Sequence, residues 1–291
     1  MRTQYHIHEL CLAFGVSRSA YRHYQSDKLV SSRLSRLKLI SEIKSINNDA
    51  KLKVYGSPRI TAELKSRGHN CSKNTVAKIM QEQGIAAKRN TNYKAPKTTV
   101  INPQAKYNPN LIKAVEPTYL GQILVNDITY IRTKEGWLYL ATTMDLYSRA
   151  ILGYSVKSHM PASLVVESLN KAINTWQLSR GLSTYHSDRG AQYSSELLRQ
   201  ELARQGFKQS MSDKGNCYDN VHAESFFSSL KSEIMPACGF FETKEAAIKA
   251  IFDYIDGFYN TIRKHSSLGY LSPYEFIKTN QNNQQKLAQS A

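Results

Sequence analysis

The chain has 291 residues, 41% hydrophobic and 21% charged, enough to build a sizeable core and unlike a disordered or fibrous composition. No run reaches the roughly eighteen apolar residues of a membrane span, no apolar signal core opens the chain, and Cys11, Cys71, Cys217 and Cys238 form no C-x-x-C pair, which excludes membrane, secreted disulfide-scaffold and cysteine-zinc classes and points to the cytoplasm. The formal charge of +16 is lopsided: residues 1–117 carry 21 Lys+Arg against 7 Asp+Glu and the other 174 carry 18 against 16, the pattern of a polyanion-binding arm on a nearly neutral body.

Near the start, Leu10, Ala13, Phe14, Val16 and Tyr21 are spaced as a short helix, a Gly15-Val16-Ser17 turn and a second helix capped by Ser17. Leu29, Leu34, Leu37, Ile40, Ile43 and Ile46 then recur at mostly three- and four-residue steps among Arg33, Arg36, Lys38 and Lys44, predicting an amphipathic helix. Together these form an N-terminal helix-turn-helix-like region over 1–50. Residues 51–86 read as a helix-turn-helix DNA-binding domain, with helices from Pro58 to about Arg67 and from an N-capping Ser72 to about Gln83. Lys73, Asn74 and Lys78 would face outward where a recognition helix meets DNA, although an ordinary helical hairpin has the same pattern. Residues 87–117 read as an extended basic linker able to track phosphates, with Lys88 and Arg89 at its head.

Beyond Pro117 the pattern changes to strands. Ile123 to Ile131, Trp137 to Met144 and Ala150 to Val156 predict three antiparallel strands, the first two joined by a Thr133-Lys134-Glu135-Gly136 turn. A helix from Pro161 to about Gln177, a short strand ending at Asp188, a helix from Ser194 to Arg204 and a strand around Phe207 to Met211 follow. The order β-β-β-α-β-α-β-α is that of an α/β, ribonuclease-H-like core, placed at 118–280 after the small all-α domains and before a polar tail at 281–291.

Three carboxylates fall at telling places in that order: Asp127 in the middle of the first strand, Asp188 at the end of the fourth, and Glu224 in the first turns of a helix beginning near Asp219. Asp127 interrupts a β-branched run where a charge is costly unless paired or bound to metal. Cutting a phosphodiester needs an activated oxygen on one side and a stabilised leaving oxygen on the other, and two hard cations about 3.5–4 Å apart provide both. Oxygen ligands suit Mg²⁺ or Mn²⁺, so Asp127, Asp188 and Glu224 are read as catalytic metal ligands. Lys231, seven positions after Glu224 and on the same helix face, is either a DNA-phosphate ligand or a solvated lysine. His186 either positions DNA or water or is simply packed. Gly215 to Asn220 reads as a loop over the substrate, and Asp145 and Arg149 as a structural pair.

At these residues the chain resembles the bacterial insertion-sequence transposases of the OrfB type, DDE enzymes related to retroviral integrases. The 35 residues between Asp188 and Glu224 match that family's spacing, and Lys231 matches its basic residue. So do His186-Ser187-Asp188-Arg189-Gly190, Ser212-Asp213-Lys214-Gly215-Asn216, Glu224-Ser225-Phe226-Phe227, and a C-terminal set of Tyr259-Asn260, Arg263, His265 and Leu268-Gly269-Tyr270-Leu271-Ser272-Pro273. Leu124, Asn126 and Asp213 depart from it, since the family usually has Trp, Thr and Arg there, and the loss of the last puts one basic DNA contact beside the site in doubt. The resemblance runs from about residue 5 to 278. It implies metal-dependent strand cleavage at transposon ends, attack of the freed 3′-hydroxyl on other DNA, two ions per site, assembly as a homo-oligomer on DNA, and a companion protein from the upstream reading frame. A non-catalytic DNA-binding regulator and a ribonuclease H are the competing readings, disfavoured respectively by the intact carboxylate spacing and by the two helix-turn-helix segments.

Overall fold

A computed structural model describes residues 5–25, 28–87, 107–113, 115–178, 181–213 and 220–290, the side chains at 23, 25, 28–31 and 282–290 excepted. Lys88, Arg89, most of the basic linker, Lys214 and Gly215 to Asp219 of the expected loop lie outside the described residues. The chain divides into two compact units, Met1–Ala87 and Lys88–Ala291.

The first unit is helical: α1 (Ile7–Ala13), α2 (Arg18–Gln25), α3 (Lys28–Asn48), α4 (Ser57–Ser66) and α5 (Lys73–Glu82). Ser17 caps α2 through a 3.0 Å bond from the Ala20 amide, and Ser72 caps α5 through a 3.1 Å bond from the Thr75 amide, each satisfying a donor that a helix start leaves orphaned. The core of this unit is Ile43 and Ile46 of α3, Ile60 and Leu64 of α4, and Val76, Ile79 and Met80 of α5. The expected amphipathic stripe on α3 is only half realised. Leu34 and Leu37 are 53% and 54% exposed while Ile43 and Ile46 are fully buried, because α4 and α5 pack against α3 and the buried part of its stripe is the C-terminal half.

The second unit is built on one five-stranded sheet, ordered β3-β2-β1-β4-β5, from β1 (Ile123–Thr133), β2 (Gly136–Asp145), β3 (Ile151–Lys157), β4 (Thr184–Ser187) and β5 (Lys208–Met211). β1, β2 and β3 are antiparallel neighbours; β4 runs parallel to β1, and β5 parallel to β4. Sequential strands pair through tight turns, whereas the parallel additions need helical crossovers. α6 (Ala162–Trp176) and α7 (Glu196–Gln205) supply those crossovers. Gly136 turns the first hairpin with φ +106°, a value that side-chain-bearing residues rarely adopt.

Leu164, Val165, Leu169 and Ala172 of α6 pack with Leu124, Ala141 and Leu152 of the sheet in the main core. The approach is close: a Cβ on Gly153 of β3 would lie 2.2 Å from the Ser168 carbonyl oxygen. After the sheet come α8 (Val221–Ile234), α9 (Lys244–Tyr254), a π-helical turn at Ile255–Tyr259 and α10 (Pro273–Ser290). Phe226 of α8 packs edge-on to Tyr259 at 4.7 Å, and α8 and α9 both meet β1. This is the ribonuclease-H-like architecture expected. No helix among the described residues is long and apolar enough to cross a membrane.

Candidate active site

Strand register brings two of the carboxylates together. The parallel β1–β4 ladder pairs Ile123 with Thr184, Leu124 with Tyr185 and Val125 with His186. Continued two residues, that register would set Asp127 level with Asp188, which lies just past the end of β4, and both carboxylates line one cleft. Neighbouring strands lie about 4.8 Å apart, so the two carboxyl groups share one small region. Asp188 Oδ1 accepts from the Gly190 amide at 2.9 Å. A Cβ at Gly190 would come within 3.0 Å of that same oxygen, so glycine lets the turn close on the carboxylate. Asp127 Oδ1 accepts from the Ile128 amide at 2.8 Å.

Electrostatics ties the third carboxylate to this pair. Burial first, then the charge of Asp188 and, less strongly, that of Glu224 push the Asp127 carboxyl up to about 8, against the opposing pull of the Ile128 amide and Lys231. Glu224 is exposed in the first turn of α8. Lys231, two turns along, holds its Nζ 4.5 Å from the centre of the Tyr130 ring. Burial pulls its ammonium down to about 8, with Asp127 opposing. Among the described residues, no three His, Cys, Asp or Glu side chains are already drawn together as a metal cluster. The arrangement is thus a carboxylate pair on the sheet, with a helix-borne carboxylate within electrostatic range.

The donor set fits a hard divalent cation. Level carboxylates on adjacent strands repel, a neighbouring cation relieves that repulsion, and all-oxygen donors match Mg²⁺ or Mn²⁺. A cleft of about 170 Å³ opens beside the pair, lined by Asp127 and Asp188 together with Ile128, Tyr139, Met160 and Tyr193 among others.

Several residues occupy places that their local sequence did not indicate. His186 is fully buried, its Nδ1 2.8 Å from Ser210 Oγ and its Nε2 3.2 Å from Ser212 Oγ, so it is a packed histidine. The Asp145–Arg149 ion pair does not form. The Asp145 carboxylate is taken by the Gly121 amide at 2.9 Å and by the Ser148 amide and hydroxyl at 2.7 and 2.6 Å, while the Arg149 backbone amide donates to the Asp145 carbonyl at 2.8 Å and its guanidinium meets the carboxylate only as a nearby charge. Asn126, only 1% exposed, was missed: its amide donates to the Leu124 and His186 carbonyls at 3.0 and 3.2 Å, and Asn220, the N-cap residue of α8, donates to its carbonyl at 3.2 Å. An asparagine inside a β-branched run was the available signal, because it is a poor strand former with no apolar reason to be buried. In the first unit, Lys73, Asn74 and Lys78 are exposed on α5, Asn74 and Lys78 opposite its buried Val76, Ile79 and Met80 and Lys73 at its first turn.

Residues 118–217 and 224–280 match integrase core domains, and residues 35–93 match an HTH-like domain. The chain is 37% identical over 272 residues to an insertion element IS600 uncharacterized 31 kDa protein of Shigella sonnei, covering 92% of this chain and 97% of that protein. It is 38% identical over 231 residues to the transposase InsF for insertion sequence IS3A of Escherichia coli, covering 78% and 77%. Among solved structures, the HTLV-2 integrase catalytic core domain in complex with magnesium is similar at 16% identity and a TM-score of 0.39, covering 54% of this chain and 97% of that one.

Proposed function

The chain belongs to the family of insertion-sequence transposases that includes the InsF proteins, and we propose from that footing that it cuts one DNA strand at each transposon end and joins the freed 3′-hydroxyl to other DNA through Asp127, Asp188 and Glu224. It is a DDE-type polynucleotidyl transferase acting on DNA in transposition. The observation that carries the residue assignment is the β1–β4 register, which sets Asp127 level with Asp188 while the charge of Glu224 reaches Asp127.

Asp127, Asp188 and Glu224 would hold Mg²⁺ or Mn²⁺, two ions per site, which when bound supply charge neutralisation at the phosphate and an activated attacking oxygen. The remaining steps belong to the chain itself. The Gly190 amide keeps Asp188 turned in one direction, and the Ile128 amide does the same for Asp127. Lys231, held against Tyr130, neutralises a non-bridging phosphate oxygen, and its half-buried setting makes a hydrogen-bonded phosphate a better partner than bulk water. Lys73, Asn74 and Lys78 on α5, with Lys88 and Arg89 following, bind the terminal repeats. The protein works as a homo-oligomer on DNA, with the companion protein of the upstream reading frame, in the cytoplasm at the nucleoid.

The test is a magnesium-dependent nicking and joining assay on terminal-repeat duplexes. Asp127→Asn, Asp188→Asn and Glu224→Gln each abolish cleavage and joining while DNA binding stays within about twofold. Full activity in any one of them removes that residue from the metal site.

A further inference from the structure

We propose that the cleft beside Asp127 and Asp188 is a nucleobase pocket, which takes the base of an unpaired or flipped nucleotide next to the phosphate held at the carboxylates. The proposal rests on the strand-cleavage reading and adds to it a second, uncharged contact with the substrate.

The composition of the wall carries the argument. Besides the two carboxylates, the cleft is lined by Ile128, Tyr130, Tyr139 and Met160, two aromatic rings and two apolar side chains. A phosphate and its counterions are served by the carboxylates and by Lys231, whose ammonium already covers one face of the Tyr130 ring; the apolar surface of Ile128, Tyr139 and Met160 is left over. The flat, uncharged group that is always tethered within one sugar of a phosphate is a base, and stacking on aromatic or apolar side chains is how proteins hold one outside the helix. Tyr193 also lines the cleft; it is 2% exposed and its hydroxyl has no hydrogen-bond partner. A buried hydroxyl without a partner is costly, so the side of the cleft formed by Tyr193 is not yet fully satisfied.

The wall is also held in place before any substrate arrives. Gln192 Nε2 donates to the Met160 carbonyl at 3.1 Å, tying the turn that follows Asp188 to the far side of the cleft. Tyr139 is fixed by its backbone, paired with Tyr130 on one side and Lys157 on the other. Bases inside a duplex are stacked and paired and do not present a face to such a pocket. The nucleotide it accepts is therefore one that has left the stack, either at the transposon end or in the target strand; both present the same chemistry.

The experiment is a base-deletion cycle with the full-length chain in Mg²⁺. Cleavage and joining rates are measured for wild type, Tyr139→Leu and Met160→Ala on intact DNA and on DNA made abasic beside the reacting phosphate, in one arm on the transposon end and in the other on the target. Thermal melts check that each variant is folded, and Met160→Ala, a loop substitution, guards against loss of Tyr139 packing. On intact DNA each variant is expected to run about tenfold slower than wild type, the scale of removing one base stack. Wild type is expected to slow by a similar factor on the abasic substrate in one arm, where the variants change by less than about twofold. That non-additivity is the signature of a direct contact, and the arm in which it occurs identifies the source of the base. Additive losses in both arms, with wild type active, overturn the pocket and leave the nuclease reading standing. A wild type that cuts no substrate at all overturns the nuclease reading and the pocket with it.

Discussion

Replacing Arg263 with leucine should cost more stability than any comparable surface change. Its guanidinium reaches Glu233, near the end of α8, through three hydrogen bonds of 3.2, 3.0 and 2.6 Å, and Glu233 also accepts from the Tyr254 hydroxyl at 2.9 Å. The two side chains are 4% and 7% exposed, so both charges are desolvated. Arg263→Leu leaves a buried carboxylate with one hydroxyl for company, and breaking a buried pair in this way costs about 3–5 kcal/mol. That is a large part of the roughly 5–15 kcal/mol that holds a typical domain folded. The double variant Arg263→Leu/Glu233→Leu removes both charges and should recover most of the loss, because the pair's net worth over an apolar replacement is small. Urea unfolding of the full chain, followed by circular dichroism, measures both. A single-variant cost below about 1 kcal/mol, or a double variant as unstable as the sum of the singles, would refute the reasoning. Glu233 is nine residues after Glu224 on the same helix, so cleavage should weaken in step with the anchor.

Three further outcomes are expected. In metal-free buffer the raised Asp127 carboxyl, at about 8 against an ordinary value of 3.8, keeps in the folded state a proton that the unfolded chain releases, so stability falls as pH rises between those two values. Asp127→Asn should flatten that slope in melting temperature against pH and abolish any stabilisation by added Mg²⁺; an unchanged slope refutes the assignment. Gly153→Ala drives a methyl group into the Ser168 carbonyl and the Ala172 amide, at 2.2 and 2.6 Å. Overpacking of this kind costs about 1–3 kcal/mol, or a fall of several degrees in melting temperature by calorimetry, and a neutral result would mean that α6 can retreat from the sheet. Replacing Lys73 and Lys78 with alanine should weaken binding of terminal-repeat DNA and lower the slope of log affinity against log salt by about 0.9 for each phosphate no longer neutralised; an unaltered slope takes α5 off the DNA.

Legibility followed range along the chain. The strands and crossover helices were readable from periodicity, and their observed ends differ from expectation by one or two residues, as with β3 at Ile151–Lys157 against an expected Ala150 to Val156. Ser17 and Ser72 were readable as caps because a cap is satisfied within three residues. The Glu233–Arg263 pair spans thirty residues, and no local pattern announces it. The same holds for Asn260, which bonds both the amide and the carbonyl of Ile151 at 3.0 Å, 109 residues away. At His186 spacing alone left two roles open, and only the serines on β5 and just beyond it, Ser210 and Ser212, decided between them. Asp145 misled for a related reason: its nearest sequence cation was Arg149, but three donors from Gly121 and Ser148 had already filled its oxygens.

The ladder joining β1 to β4 also sets a mechanical limit. Asn126 ties the two strands together one residue before Asp127, bonding the carbonyl of His186 across the gap, so parting Asp127 from Asp188 would break that bond. With Glu224 as the third ligand proposed above, ions of different radius, or a phosphate changing shape as it reacts, would be accommodated from the α8 side. Such a grip would be rigid along one edge and adjustable along the other, like a vice with a single moving jaw.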